Sequence, residues 1–307
     1  MELYPLIIAI AAATVTSSVA ILLPGLGEGV SERAGILNIG AEGYMLMGAL
    51  AAYFGYVASD NIWIGLLMGT LAGILFSLIH AFFSITLKAD QVISGTGIWL
   101  LGLGLSSYIF RLLGIGTVTE KFDVIAVPLL KDIPFLGPVF FQQNILVYLS
   151  FFLVLVFEIV LHQTPWGLRN KGAGDSPLST DMAGHNIALI RYVSTMVCGA
   201  LAGLGGAYLA VGVLSRFSEG MVAGRGFIAI AVVIFGGWDP KKILVGALIF
   251  SLIDSIQMYL QATGSFIPFP FLLMMPYLLT IIIIVFASKK AQNLPRKLTI
   301  PYIRGEE

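Results

Sequence analysis

The chain reads as an all-α polytopic membrane protein of about eight to nine transmembrane helices, one of them short or broken. Three observations predict this. Hydrophobic residues fill 58% of the 307 positions and charged residues only 11%, where a soluble domain carries about 25% charge. Mean hydropathy is +0.94. The apolar residues also fall in stretches near the ~20 residues that carry a helix across the hydrocarbon of a bilayer. A transmembrane barrel would alternate polar and apolar residues with period two. Runs such as Ile281-Ile282-Ile283-Ile284-Val285-Phe286 exclude that.

The elements follow in order. The first span covers 5–24. The stretch before it, Met1-Glu2-Leu3-Tyr4-Pro5, lacks the basic region of a cleavable signal, so the span is expected to be a retained helix. Residues 25–39 begin Gly25-Leu26-Gly27-Glu28-Gly29 after Pro24. Glycine and proline are poor helix formers, so this segment is expected to be an irregular connector. Further spans are read at 40–58, 62–87, 91–110, 144–162 and 190–213, then at 226–237, 242–260 and 269–287. The 226–237 stretch is too short to cross ~30 Å of hydrocarbon. Such a piece survives only where protein or a cavity surrounds it. All spans belong to one transmembrane domain, 1–307.

Two loops stand out. Residues 111–143 contain Pro128, Pro134 and Pro138 with Gly114, Gly116 and Gly137, a turn-rich segment expected outside. Residues 163–190 are polar and open with a basic cluster at Arg169 and Lys171. They then spell a short helix. Ser176 is read as its cap, Pro177 suits its first turn, and Gly184 closes it. Leu178 and Met182 are four apart and share a face, and Asp181 lies beside them. A short capped helix with an apolar knob on the basic side of a membrane protein is a docking element for a soluble partner.

Basic residues set the orientation. With 163–190 inside, Arg33, Lys88, Arg169, Lys171, Arg191, Lys241, Lys242, Lys289, Lys290, Arg296, Lys297 and Arg304 fall inside. Arg111, Lys121, Lys131, Arg216 and Arg225 fall outside. That twelve-to-five bias predicts a cytoplasmic carboxyl terminus and an external amino terminus.

Residues 35–79 and 224–256 echo one another, most clearly at Phe76-Ser77-Leu78-Ile79 and Phe250-Ser251-Leu252-Ile253. In this topology they run in opposite directions, so an inverted repeat is expected, with a pathway at the repeat interface. Gly199 and Gly203 form a small-xxx-small face that permits close helix packing.

No phosphate-loop pattern and no nucleophile elbow is present, so neither ATP hydrolysis nor catalysis is expected of this chain. The histidines His80, His162 and His185 are scattered, and no metal site is expected. Zero net charge gives no reason to expect nucleic acid. Cys198 stands alone in an apolar span and excludes an internal disulfide. Ionisable residues read within spans are Glu42, Glu158, Asp254 and His80. Asn38 and Glu42, four apart, are read either as pathway contacts or as ties that hold the connector. Glu158 is expected to reach the interface or pair with Arg169. Asp254 and Phe227 complete the candidate pathway.

Three segments carry a resemblance. They are Glu32-Arg33-Ala34-Gly35-Ile36-Leu37-Asn38-Ile39-Gly40-Ala41-Glu42-Gly43, the loop from Trp166 to Ile187, and Gly224-Arg225-Gly226-Phe227 running on to Gly236-Gly237-Trp238-Asp239-Pro240. With these in order, the whole chain resembles the permease subunits of ABC importers for ribose, nucleosides and branched-chain amino acids. It is most similar to the shorter permease of the nucleoside (simple-sugar) branch. His185 and Ser179-Thr180 depart from the usual pattern without breaking the short helix. The resemblance implies a prokaryotic plasma-membrane (inner-membrane) importer surrounded by membrane lipid. It implies a second, different permease chain, cytoplasmic ATPase subunits that bind ATP and Mg, and an extracellular substrate-binding lipoprotein. It also implies that Ser176, Pro177, Leu178, Asp181, Met182 and Gly184 dock on the ATPase. Import of nucleosides or related sugars is the expected function. Permeases for another sugar or a branched-chain amino acid, and an ATPase-independent secondary transporter, are the alternatives.

Overall fold

The computed structural model describes residues 3–113, 122–264, 268–287 and 294–304. Each of the nine apolar spans is helical: α1 (Leu3–Arg33), α2 (Ala41–Ser59), α3 (Ile62–Ala81), α4 (Gln91–Leu113), α6 (Ile145–Gln163), α9 (Ile187–Ala207), α10 (Arg225–Gly236), α11 (Pro240–Ala262) and α12 (Phe269–Ala287). Short helices α5 (Leu136–Phe140), α7 (Pro165–Asp175) and α8 (Pro177–Met182) lie in the loops. π-turns at Phe82–Thr86 and Tyr208–Val213 extend α3 and α9. Among the described residues six helices are long and apolar enough to cross a membrane, and α10 and part of α12 are shorter apolar pieces.

Side-chain caps start most of these helices. Asn61, Asp90, Asn144, Asn186 and Asp239 each accept a backbone N–H from the first turn that follows. The described part of the turn-rich segment carries a short ribbon. Strand β1 (Val124–Ala126) pairs antiparallel with β2 (Gln142–Asn144), Ile125 opposite Gln143. Gly114, Gly116 and Lys121 lie outside the described residues, as do Lys289 and Lys290.

The expected connector at 25–39 is corrected. Helix α1 runs through Pro24 and the glycines to Arg33, and only residues 34–40 leave the helix. Tertiary packing overrides propensity here. The Pro24 ring sits 3.1 Å from where a Cβ on Gly205 would stand. A Cβ on Gly27 would lie 2.7 Å from the Cα of Cys198, so α1 and α9 meet backbone to backbone.

The glycines of α3 and α9 build a second such seam. A Cβ at Gly73 would lie 2.7 Å from the Cα of Gly203, and one at Gly203 would lie 2.9 Å from the Cα of Gly73. A Cβ at Gly199 would collide with Ser77. The small-xxx-small face read in the sequence therefore meets a matching face, Gly69-xxx-Gly73-xxx-Ser77, on an antiparallel partner.

The packing of the two echoing regions is alike. Helices α1 and α9 pack against each other. Helix α1 packs on α10 and α11, and α9 packs on α2 and α3. Helices α2 and α4 pack together, as do α10 and α12. The first and last groups of four helices therefore pack in parallel patterns, each central helix lying on the helices that follow the other. Phe76 and Ser77 on α3 are buried, and so are Phe250 and Ser251 at the equivalent place on α11.

Helix α2 is the innermost element. Fourteen of its nineteen residues are buried, including Glu42 and three tyrosines. This explains its modest hydropathy, since a helix surrounded by protein does not need a lipid-facing surface. A leucine at Gly73 should break the α3–α9 seam, because overpacking costs about 1–3 kcal/mol or more even in adaptable cores. Thermal unfolding of the purified chain in detergent should show a lowered midpoint for Gly73→Leu. A leucine at Gly104, where a Cβ meets nothing, should leave it unchanged.

Candidate functional site

Helix α10 begins inside the bundle, and its first N–H groups have no helical partner. In an apolar interior each unmet N–H is expensive. Glu42, only 4% exposed, meets two of them. Its Oε1 accepts from the Gly224 N–H at 2.8 Å and its Oε2 from the Gly226 N–H at 2.7 Å. A carboxylate also suits the positive end of a helix dipole. Gly226 is small because the α2 backbone lies against it: a Cβ there would stand 2.6 Å from the Glu42 Cα.

Asn38 holds the turn before α2. Its N–H donates to Glu28 Oε1 at 2.7 Å, its amide donates to Ser31 Oγ at 2.6 Å, and its Oδ1 accepts from the Tyr44 hydroxyl at 3.3 Å. Both Asn38 and Glu42 are therefore buried and engaged within the chain. Phe227, next to Gly226, is half-buried and meets Trp99 edge to face, ring centroids 5.2 Å apart. Asp254 binds the Arg225 guanidinium at 2.7 Å. This pair lines a cavity of about 250 Å³ with Gln257, Met258 and Tyr277. Gln257 is 7% exposed and its Oε1 has no partner among the described residues. Of the four expected pathway residues, Glu42, Phe227 and Asp254 converge on the first turn of α10. Asn38 stands behind them.

Two acids escaped the sequence reading. Glu28 and Glu32 were assigned to the connector, but they occupy one face of α1 and are fully buried. Glu28 Oε2 accepts from the Cys198 thiol at 3.1 Å. Glu32 Oε2 accepts from Trp238 Nε1 at 2.6 Å. Their four-residue spacing was the available signal, and it gains meaning only once the helix is carried through the glycines.

The basic end of the bundle holds α7 and α8, so the segment after Trp166 is a helix pair. Thr164 caps α7 through the Gly167 N–H. Pro177 stands in the first turn of α8, and Gly184 follows with φ +87°. The cap expected of Ser176 is not made. With ψ near 74° its hydroxyl turns to Ser179 Oγ at 2.7 Å rather than to a backbone N–H. Leu178 is half-buried, whereas Met182 is 81% exposed and Leu168 on α7 is 74% exposed. Asp181 Oδ2 accepts from the Tyr302 hydroxyl and pairs with Arg304.

Glu158 pairs with Lys241 at 2.9 Å and with His162, not with Arg169. The fold also brings an oxygen of Glu158, a nitrogen of His162 and an oxygen of Asp239 within 4.8 Å of one another. Lys241 already neutralises Glu158, and Arg33 lies 3.4 Å from His162 Nε2. The grouping is an ion-pair network joining the ends of α1, α6 and α11.

Arg191 is 2% exposed and has no acidic partner among the described residues. Its guanidinium donates to three backbone carbonyls, Ala34 at 3.1 Å, Ile300 at 3.1 Å and Ala173 at 3.3 Å. Two of these lie at the carboxyl ends of α1 and α7, where a cation complements the helix dipole. Gly35, at φ +93°, leaves room for it: a Cβ there would lie 2.9 Å from the guanidinium.

A family profile described as "Branched-chain amino acid transport system / permease component" matches residues 10–287. The Guanosine ABC transporter permease protein NupQ of Bacillus subtilis is 35% identical, over 100% of both chains. The Putative glucose ABC transporter permease protein TsgC13 of Haloferax volcanii is 37% identical, over 81% of this chain and 77% of that one. The Nucleoside ABC transporter permease protein NupC of Lactococcus lactis is 34% identical, over 94% and 95%. In each organism a second permease protein (NupP, TsgB13, NupB) matches more weakly, at 23–25% identity over 74–77% of this chain and 66–68% of its own.

Glu42→Ala should orphan two buried N–H groups, a loss of about 2–6 kcal/mol at one to three each. The permease should then accumulate poorly in the membrane. Glu42→Gln keeps one acceptor and should accumulate better. Quantitative immunoblotting of membrane fractions checks the order.

Proposed function

The chain belongs to the branched-chain amino acid transport system / permease component family, and from that premise we propose that it carries nucleosides inward as one of two unlike permeases. It is a multi-pass protein of a prokaryotic plasma membrane and a permease subunit of an ABC importer. ATP hydrolysis is assigned to a cytoplasmic partner. The basic end is read as cytoplasmic, in line with the positive-inside rule. There the exposed Met182 and Leu168 on α7 and α8 form an apolar knob for that ATPase. The observation that supports the coupling reading is a short helix at the basic end, begun by Pro177 and closed by Gly184, that presents Met182 81% exposed.

Nucleosides are favoured by the names of two of the three relatives above, a guanosine and a nucleoside permease. The chemistry near the start of α10 agrees. A neutral nucleoside needs polar contacts for its sugar and an aromatic surface for its base. Gln257 and the Arg225–Asp254 pair offer the first, and Phe227, Trp99 and Tyr277 offer the second. Asn38 and Glu42 act as supports that fix α2 and α10 around this region. The affinity is left to an external binding lipoprotein, so that the passage releases its cargo. The existence of weaker-matching second permeases in the same organisms supports a heteromeric core. Transport of a simple sugar is the second reading, favoured by the 37% identity to a putative glucose permease.

Met182→Asp should abolish ATP-driven uptake of radiolabelled guanosine in cells while the permease still accumulates, because a charge would replace the apolar knob. Full uptake by that variant would refute α8 as the docking helix.

A further inference from the structure

Residues 294–304 form no regular helix or strand, yet they are fastened at six points. The Lys297 N–H donates to the Gly174 carbonyl at 2.8 Å, and the Thr299 N–H to the Gly35 carbonyl at 3.2 Å. The Ile300 carbonyl accepts from Arg191 at 3.1 Å, and the Arg296 N–H reaches Asp175 at 3.3 Å. At its far end the Tyr302 hydroxyl donates to Asp181 Oδ2 at 2.8 Å, and Arg304 Nε meets the same oxygen at 2.9 Å. The Tyr302 ring also packs on a small apolar cluster of Ala34, Ala173, Ile187 and Ile190. The segment therefore touches α7, α8, α9 and the connector that leads into α2.

The tethering of α8 shows what this does. Helix α8 is a single six-residue turn packed on α7 and α9. Leu178 and Pro177 anchor one side of it, and Met182 points away. Its one acidic residue, Asp181, is held by the terminal segment. Asp181 has no other ion-pair partner among the described residues. Without that hold, a push on Met182 could tilt α8 alone, and the displacement would be lost. With it, α8, Arg191 and Gly35 form one chain of short polar contacts that ends at the connector into α2.

We propose that the carboxyl-terminal segment is a strap that makes α8 and the 34–40 connector move as one rigid body, so that Tyr302 and Arg304 are positioning residues for coupling. This rests on the reading of α8 as the ATPase-docking helix. The strap does not bind the ATPase in place of Met182. It transmits what Met182 receives.

The test uses the full complex in proteoliposomes: this chain, its second permease, the ATPase and the external binding protein. Two quantities are read, ATPase co-purification and nucleoside transported per ATP hydrolysed. For Tyr302→Phe with Arg304→Gln, the ATPase should still co-purify, and transport per ATP should fall about fivefold or more. Asp181→Ala should give a similar fall. The triple variant should fall no further, because all three substitutions act on the same pair of contacts, Tyr302 and Arg304 on Asp181. Unchanged transport in the double variant would overturn the strap, and so would effects that multiply in the triple. Loss of the ATPase from the tail variant would also overturn it, making the tail part of the docking surface itself. Met182→Asp run alongside separates the two readings: if it too leaves transport intact, the docking role of α8 has failed and the strap falls with it. Elution profiles of each variant exclude misfolding as the source of any loss.

Discussion

Helix ends placed inside an apolar bundle have to find partners for their backbone groups, and this constraint organises the molecule. Helix α10 starts in the interior, so its N–H groups need an acceptor, and Glu42 is it. Helices α1 and α7 end beneath the connector, so their carbonyls need a donor, and Arg191 is it. In both cases a charged side chain faces the helix end of opposite polarity. Arg191 is thereby held by backbone carbonyls alone among the described residues. The two contacts sit at the two ends of the 34–42 segment, which joins the basic end of the bundle to its middle. The region around Phe227 and the Arg225–Asp254 pair is built on this frame.

The packing of α1 on α9 gives the frame its shape. Two central helices, α1 and α9, each pack on the helices that follow the other. Glycine seams bring the backbones together where lipid offers no hydrophobic drive between helices. Burial in such a structure depends on close packing, and one added methyl in the α3–α9 seam is felt by both halves. The loop elements at the basic end are different. They are short, polar and held by individual hydrogen bonds, which suits a part that must receive and pass on a displacement.

Most of this was legible in the sequence, and the exceptions share physical causes. The nine apolar spans were readable because hydropathy and length are strong signals in a membrane. The helical course of 25–33 was not, since Pro24, Gly25, Gly27 and Gly29 signal a break wherever packing is unknown. Glu28 and Glu32 were missed with it. The helix at 177–182 was readable from Pro177 and Gly184, but the partner of the Ser176 hydroxyl was not, because one backbone angle decides it. Glu158 met Lys241 rather than Arg169, a choice made by the α6–α11 packing. The cluster brings Asp239 to Glu158 and His162, 81 and 77 positions earlier in the chain. The strap has no helical or strand periodicity, and its place is fixed largely by partners elsewhere in the chain, at Gly35, Gly174, Asp175, Asp181 and Arg191. The convergence of Glu42, Phe227 and Asp254 on one helix start was hinted at by the internal echo alone.

The account holds that ATP, through α8, drives this chain to carry a nucleoside inward. The most direct measurement is substrate uptake by proteoliposomes containing this chain, a second permease and the ATPase, with binding protein outside and ATP within. Labelled guanosine should accumulate only when ATP, binding protein and this chain are all present, and an excess of glucose should not compete. Accumulation driven by an ion gradient without ATP would contradict the account, as would ATP-driven accumulation of glucose with guanosine excluded.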